Sequence, residues 1–244
     1  MTCALDKGEC MSEAGRKLKS QDYLSGLSVI YAAVAISMNI FCMKSLSFGT
    51  SAIICDGGLL ISWIVFLISN VVVEVWDERT SVVLISFTAV VSFVIMVIGR
   101  LIVFIPTLAE YETQAQAYAQ VFSNGPRTIT ASVAAFWTGN YINVHIIAKI
   151  KVALEKKARD NRILFFIRAA FSTLVGQWID NIMFMILAFA PVGLSLYEMA
   201  WKDIFSAAFF GTFVELFVES CFVPFITIPL VSHIKRIKNA EEAA

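Results

Sequence analysis

The sequence predicts an all-α integral membrane protein of six transmembrane helices with N-terminus and C-terminus cytoplasmic, and three observations carry that prediction. Of 244 residues, 58% are hydrophobic and 16% charged, against about 45–50% and about 25% in an average soluble domain. Apolar runs near or above the roughly 20 residues that cross a hydrocarbon core occur at 24–43, 53–75, 81–106, 127–149, 163–190 and 204–232. The lysines and arginines between these runs gather on alternate sides, as the positive-inside rule describes.

Residues 1–23 mix both signs of charge and lack the basic, apolar, small-residue order of a cleaved signal peptide, so they read as a cytosolic tail. Residues 24–233 form the six-helix domain, and 234–244 a second cytosolic tail. With the N-terminus inside, the cytoplasmic side holds Lys7, Arg16, Lys17, Lys19, Arg79, the cluster from Lys149 to Arg162, and Lys235, Arg236 and Lys238. Lys44 and Lys202 lie opposite, with Arg127 at the boundary. An acidic loop near 108–126 divides the chain into halves of three spans; residues 109–124 are expected as a short helix on the outer surface, and N-G-P at 124–126 stops it. The formal net charge of zero gives no bias toward nucleic acid, so membrane lipids are the expected surroundings in a multi-pass protein of the bacterial inner (plasma) membrane. Five scattered cysteines with no C-x-x-C imply neither a disulfide framework nor a zinc site.

Polar residues at membrane depth are the informative feature. The stretch G-N-Y-I-N at 139–143 is echoed by G-Q-W-I-D at 176–180, each inside an apolar run. Asn140 and Asp180 fall near the middle of their spans, and Asn70, Glu215 and Glu219 reach similar depths; Glu74 lies nearer the cytoplasmic face. Ser172, Thr173, Gly176, Gln177, Asp180 and Asn181 recur at intervals of three and four and share one helix side, as do Ser132, Gly139, Asn140 and Asn143. An ionisable group in hydrocarbon costs about 2.5–3.5 kcal/mol or more unless it faces protein or water, so these faces point inward.

Small residues and amides are commonly interhelical glue. An acid, several amides and aromatic rings at one depth also suit a flat, polar, purine-like ligand, whose donors a carboxylate accepts and whose ring an aromatic face stacks upon. The candidate substrate-binding residues are Asn70, Glu74, Trp137, Asn140, Tyr141, Asn143, Gln177, Asp180 and Phe184. Trp178, about 100° round the helix from Gln177, is expected off that face. Glu215 and Glu219, one turn apart, are candidates to share a coupling proton, with pairing to a buried arginine as the alternative. Arg168 near the cytoplasmic end is expected to snorkel, Arg100 to meet Asp56, and His145 to be a helix-end histidine. The sequence carries no G-x-x-x-x-G-K-[ST] loop, H-E-x-x-H or nucleophile elbow. The expectation is therefore no enzyme, no cofactor and no metal.

At these residues the chain resembles a known family. R-T-I-T-A-S-V-A-A-F-W-T-G-N-Y-I-N-V from Arg127, A-F-S-T-L-V-G-Q-W-I-D-N-I-M-F-M-I-L-A-F from Ala170 and S-N-V-V-V-E-V-W from Ser69 are similar to the queuosine precursor transporter family, also called the vitamin uptake transporter family. That resemblance covers about residues 25–235 and implies a six-helix importer of a 7-deazaguanine base, of queuine or of its nucleoside, for tRNA modification. Asn70 and Asn143 stand where members often carry Asp, and Asp77 where Gly is common, which leaves the ligand within the class open. Two other readings stand beside it: a substrate-binding membrane subunit that needs a separate ATPase module, and a membrane scaffold. A homo-oligomer or an energising module is an open partner.

Overall fold

The computed structural model describes residues 19–42, 44–47, 54–122, 126–156, 162–193 and 198–243. Its elements are α1 (Ser20–Phe41), β1 (Ser45–Ser47), β2 (Ile54–Asp56), α2 (Leu59–Val75), α3 (Glu78–Val103), a 3-10 turn (Ala109–Tyr111), α4 (Glu112–Phe122), α5 (Pro126–Glu155), α6 (Arg162–Phe189), α7 (Trp201–Phe222), a π turn (Val223–Thr227) and α8 (Ile228–Glu242). Among the described residues, four stretches are long and apolar enough to cross a membrane: α1, α3, α6 from Ile163, and the continuous Trp201–Glu242; α2 is a shorter apolar helix. The 30-residue α5 is more polar, because it carries Asn140, Asn143, His145, Lys149 and Lys151 among its apolar residues.

Side chains are sorted in the reverse of a soluble protein. Exposed large apolar residues run along α3 (Val83, Phe87, Val90, Val94, Leu101) and α7 (Phe205, Phe209, Phe213, Phe217). Asn70, Asn140, Asn143, Ser172, Thr173, Gln177, Glu215 and Glu219 are buried. Apolar surface on this scale is stable against lipid tails, not water, and buried amides and acids need partners that the bundle supplies. Helix α2 is mostly apolar and buried at every position from Val65 to Val75, as a helix packed on every side must be, with Ser69, Asn70 and Glu74 as its polar members there. Around it lie Tyr31 and Ala35 of α1, Ile85 and Ala89 of α3, Phe136 and Val144 of α5, Ala169 of α6, and Val231 and Ile234 of α8.

The connections follow local chemistry. Asp77 ends the short link from α2 and caps α3, its Oδ1 accepting from the Thr80 N–H at 2.6 Å. Arg127, in the first turn of α5, donates to the carbonyls of Leu187 (2.6 Å) and Ala190 (3.0 Å), where α6 leaves its last carbonyls unpaired within the helix. The surface helix expected at 109–124 is present as the 3-10 turn and α4 as far as Phe122; residues 123–125, and with them the first two of N-G-P, lie outside the described residues.

Three expectations need amendment. The fold is not purely helical: β1 and β2 pair antiparallel, Ser45 opposite Asp56, giving backbone donors and acceptors at the α1–α2 connection partners that a bare loop would lack. The last helix also runs on to Glu242, beyond the span end read at 232, because the charged I-K-R-I-K-N-A-E-E stretch remains a good helix former in water. Arg168 does not snorkel; it is 2% exposed and held by a carboxylate. Arg100 sits 5.0 Å over the Phe104 ring, and the side chain of its expected partner Asp56 lies outside the description.

The π turn bends the last long helix. Pro224 and Pro229 each remove a backbone donor, and kinks of this kind collect at prolines and π turns. Lys235 follows Glu219 by about 24 Å of straight helix, yet it binds Glu74, one turn along α2 from the Asn70 that holds Glu219. Helix α8 thereby turns across the inner ends of α1 and α2, where Ser20 Oγ donates to Glu241 (2.5 Å) and Tyr23 Oη meets His233 Nε2 (3.0 Å).

Candidate functional site

The two echoed motifs cross each other. A Cβ built on Gly139 would lie 2.7 Å from both the Asp180 Cβ and the Gly176 carbonyl oxygen; one built on Gly176 would lie 2.7 Å from the Asn143 Cβ and 2.8 Å from the Gly139 oxygen. Each glycine therefore faces the other motif's fifth residue, so the antiparallel α5 and α6 meet about a local pseudo-twofold. The missing side chains let the backbones touch, and the two polar ends, Asn143 and Asp180, are thrown to opposite sides of the crossing.

On the Asp180 side lies a half-open cleft. Asn39 and Cys42 of α1, Ser62 of α2, Asp180, Asn181 and Phe184 of α6, and Glu215 of α7 contribute to its lining. Its polar wall is ordered: Asn181 Nδ2 donates to Glu215 Oε2 at 2.8 Å and to Thr212 Oγ1 at 3.2 Å, and the Ser62 hydroxyl donates to the other Glu215 oxygen. The Ser132 hydroxyl donates to Asn39 Oδ1. Beside the cleft, Tyr31 lies in the field of Asp180 and donates to Asn140 Oδ1 at 3.3 Å, while Asn140 Nδ2 donates to the Phe136 carbonyl at 3.0 Å.

On the Asn143 side the groups are fully enclosed. Asn143 Nδ2 donates to Asn70 Oδ1 (3.0 Å) and Ser69 Oγ (3.2 Å). Asn70 Nδ2 donates to Glu219 Oε1 (3.1 Å), Thr173 Oγ1 donates to the same oxygen (3.1 Å), and Gln177 Nε2 donates to Oε2 (3.3 Å). Two amide oxygens, Asn143 Oδ1 and Gln177 Oε1, are buried with no hydrogen-bond partner among the described residues. One turn further along α2, Glu74 takes Arg168 Nη2 at 2.5 Å, Lys235 Nζ, and Lys151 Nζ at 3.8 Å.

The expected site residues thus divide among four places. Asp180 and Phe184 line the cleft together with Glu215; Asn140 stands behind it; Asn70, Asn143, Gln177 and Glu219 form the enclosed layer; Glu74 belongs to the cation cluster. Glu215 is bound by Asn181 and Ser62 and Glu219 by Asn70, Thr173 and Gln177, while Arg168 meets Glu74. Trp137 and Tyr141 are not brought to the Asp180 side: they stack on each other (centroids 5.1 Å apart), and Tyr141 on His145, along the face toward α3, where Trp137 Nε1 donates to Ser86 Oγ at 3.1 Å and His145 Nδ1 lies 2.7 Å from Glu78. A spacing of four places these rings one above another, and it turns them away from Gly139 and Asn143. Trp178 packs edge-on against Phe209, off the cleft.

Asn39, Ser62 and Asn181 complete the cleft and were not among the expected binding residues. Asn181 follows Gln177 by one turn and Asn39 is an amide inside an apolar run, so both carried a readable signal; a lone serine in an apolar helix, as Ser62 is, carries none.

Apolar flanks toward lipid, an enclosed polar interior and a cleft open at one end while ions tie the other define a multi-pass membrane protein with the layout of a permease. Residues 56–228 match the family described as "putative vitamin uptake transporter". The chain belongs to that family, which makes it a transporter-family membrane protein. No curated protein and no solved structure matches it.

Proposed function

We propose that this chain imports a planar purine-like base of the 7-deazaguanine class, a queuosine precursor or a salvage product such as queuine or queuosine, for tRNA modification. The reading takes α2 and α5 as spans beside the four apolar ones, giving six, with both termini cytoplasmic in a bacterial inner membrane. In support, Lys19, Lys151, Arg168, Lys235 and Lys238 collect at the end where α1 begins and α8 finishes, the side that the positive-inside rule assigns to the cytoplasm.

The observation that carries the proposal is the cleft at the opposite end. Asp180 and Glu215 offer acceptors for the ring and exocyclic N–H groups of such a base, Asn181 Oδ1 a further acceptor, Asn39 the amide N–H not given to the Ala35 carbonyl, and Phe184 an apolar ring to its face. A charge-assisted hydrogen bond contributes about 1.5–3 kcal/mol, so Asp180→Ala is expected to weaken binding of queuine about tenfold to a hundredfold. Uptake of labelled queuine into proteoliposomes containing this chain alone checks both site and function. Full uptake by the variant would sink the site, and binding without entry would favour a subunit awaiting an energising module.

A further inference from the structure

Three polar layers are stacked at successive helical turns. Glu215 with Ser62 and Asn181 faces the cleft; Glu219 with Asn70, Thr173 and Gln177 lies one turn deeper; Glu74 with Arg168, Lys151 and Lys235 lies one turn deeper again. Helices α2, α6 and α7 carry the first two layers: residues 62, 181 and 215 above, and 70, 177 and 219 below, one turn on in α6 and α7 and two turns on in α2.

The middle layer is electrically unfinished. Glu219 is 2% exposed, and among the described residues no cation lies within ion-pair distance of it. Its surroundings are neutral donors from α2 and α6. The charged and titratable groups beyond them are Glu215 on its own helix, Asp180 on α6, Tyr31 on α1, and Glu74 of α2 with its cations Arg168 of α6, Lys151 of α5 and Lys235 of α8. A buried carboxylate without a counter-charge is strongly disfavoured in a membrane interior; taking up a proton removes that charge. The three groups nearest its oxygens, Asn70 Nδ2, Thr173 Oγ1 and Gln177 Nε2, are aimed as donors, the arrangement for a carboxylate and not for a metal cation, which would require oxygens.

Gln177 supplies the second, independent observation. Its nitrogen meets Glu219 while its oxygen is buried and unpartnered. When Glu219 is protonated, its hydroxyl needs an acceptor, and a half-turn of the Gln177 amide brings that orphaned oxygen to it. The same rotation swings the amide N–H groups away from Glu219, on the helix turn next to Asp180 and Asn181.

We propose that the Glu219 carboxyl binds and releases one proton in each transport cycle, with Glu215 as its contact with cleft water and Gln177 as the positioning residue that reads its charge. The proposal rests on the transport reading above and deepens it. The proton enters from cleft water, resides on Glu219, and leaves toward the cytoplasmic end, so each turnover moves one positive charge inward with the neutral base.

Infrared difference spectra of the purified protein between acid and alkaline buffers test the proton site without any substrate. Wild type is expected to show a protonated-carboxyl carbonyl band that loses intensity in Glu219→Gln; identical spectra in the two proteins would overturn the proposal. In proteoliposomes with a trapped pH dye, entry of queuine should acidify the lumen and an acid exterior should speed uptake several-fold. Glu219→Gln should lose that acid stimulation whatever its absolute rate, and Gln177→Leu should lose it while keeping the infrared band. Uptake that ignores the pH gradient or follows a sodium gradient overturns the coupling. If queuine enters no liposome, the transport reading for that base fails, and the infrared comparison still decides whether Glu219 holds a proton.

Discussion

Glu74 stands among three cations, and its neighbours explain how a carboxylate 3% exposed is held at membrane depth. Removing one member of a buried ion pair costs about 3–5 kcal/mol, because the other charge keeps its desolvation penalty and loses its compensation. Glu74→Ala is therefore expected to lower stability by about that amount, read as a fall in the thermal midpoint in detergent, and Glu74→Ala with Arg168→Leu should recover part of it. A role confined to ligand contact would leave the unliganded midpoint unchanged. The sequence showed Glu74 as an acid at depth; it could not show that Arg168, Lys151 and Lys235, which come from three other helices and lie far apart in the chain, converge upon it. Trp137 and Tyr141 present the opposite difficulty. Their depth and type matched a stacking role, and only the direction in which α5 faces α3 separates them from the cleft.

At the scale of elements, the α5–α6 crossing was the most legible part of the chain, since its two glycine motifs and the three-and-four spacing of their polar neighbours are local patterns. What spacing could not supply was the partner of each face: that Gly139 meets Asp180 and Gly176 meets Asn143 depends on helix register. An added methyl at Gly139 must displace main-chain or Cβ atoms at 2.7 Å, and overpacking of this kind costs about 1–3 kcal/mol. Gly139→Ala should lower the thermal midpoint and weaken queuine uptake, whereas Gly26→Ala, with nothing within 4 Å of the added carbon, should leave both in place. Equal effects of the two substitutions would contradict the contact. The short β1–β2 pairing was not legible, because the run at 53–75 read as continuous apolar helix through residues that instead pair in a strand.

Across the whole molecule, the first and last described helices close on each other. The Ser20 N–H and hydroxyl both donate to Glu241, and these bonds hold its carboxyl below the usual glutamate value of 4.5. A lowered folded-state value means that the tie is fully formed above 4.5 and is lost as pH falls through that lowered value. Spin labels at Lys19 and Glu242 should accordingly report one short distance at neutral pH and a broadened one in strong acid, and Glu241→Gln should abolish the pH response. The bend at Val223–Thr227 gives this closure a mechanical meaning. A straight rod from Trp201 to Glu242 would have to carry Glu219 and Lys235 together. With a π turn and two prolines between them, the outer arm and the inner arm form a crank: rotation of one is passed to the other through a joint. The lever that holds a buried acid is thus the same piece of chain that reaches back to clasp the start of the first helix.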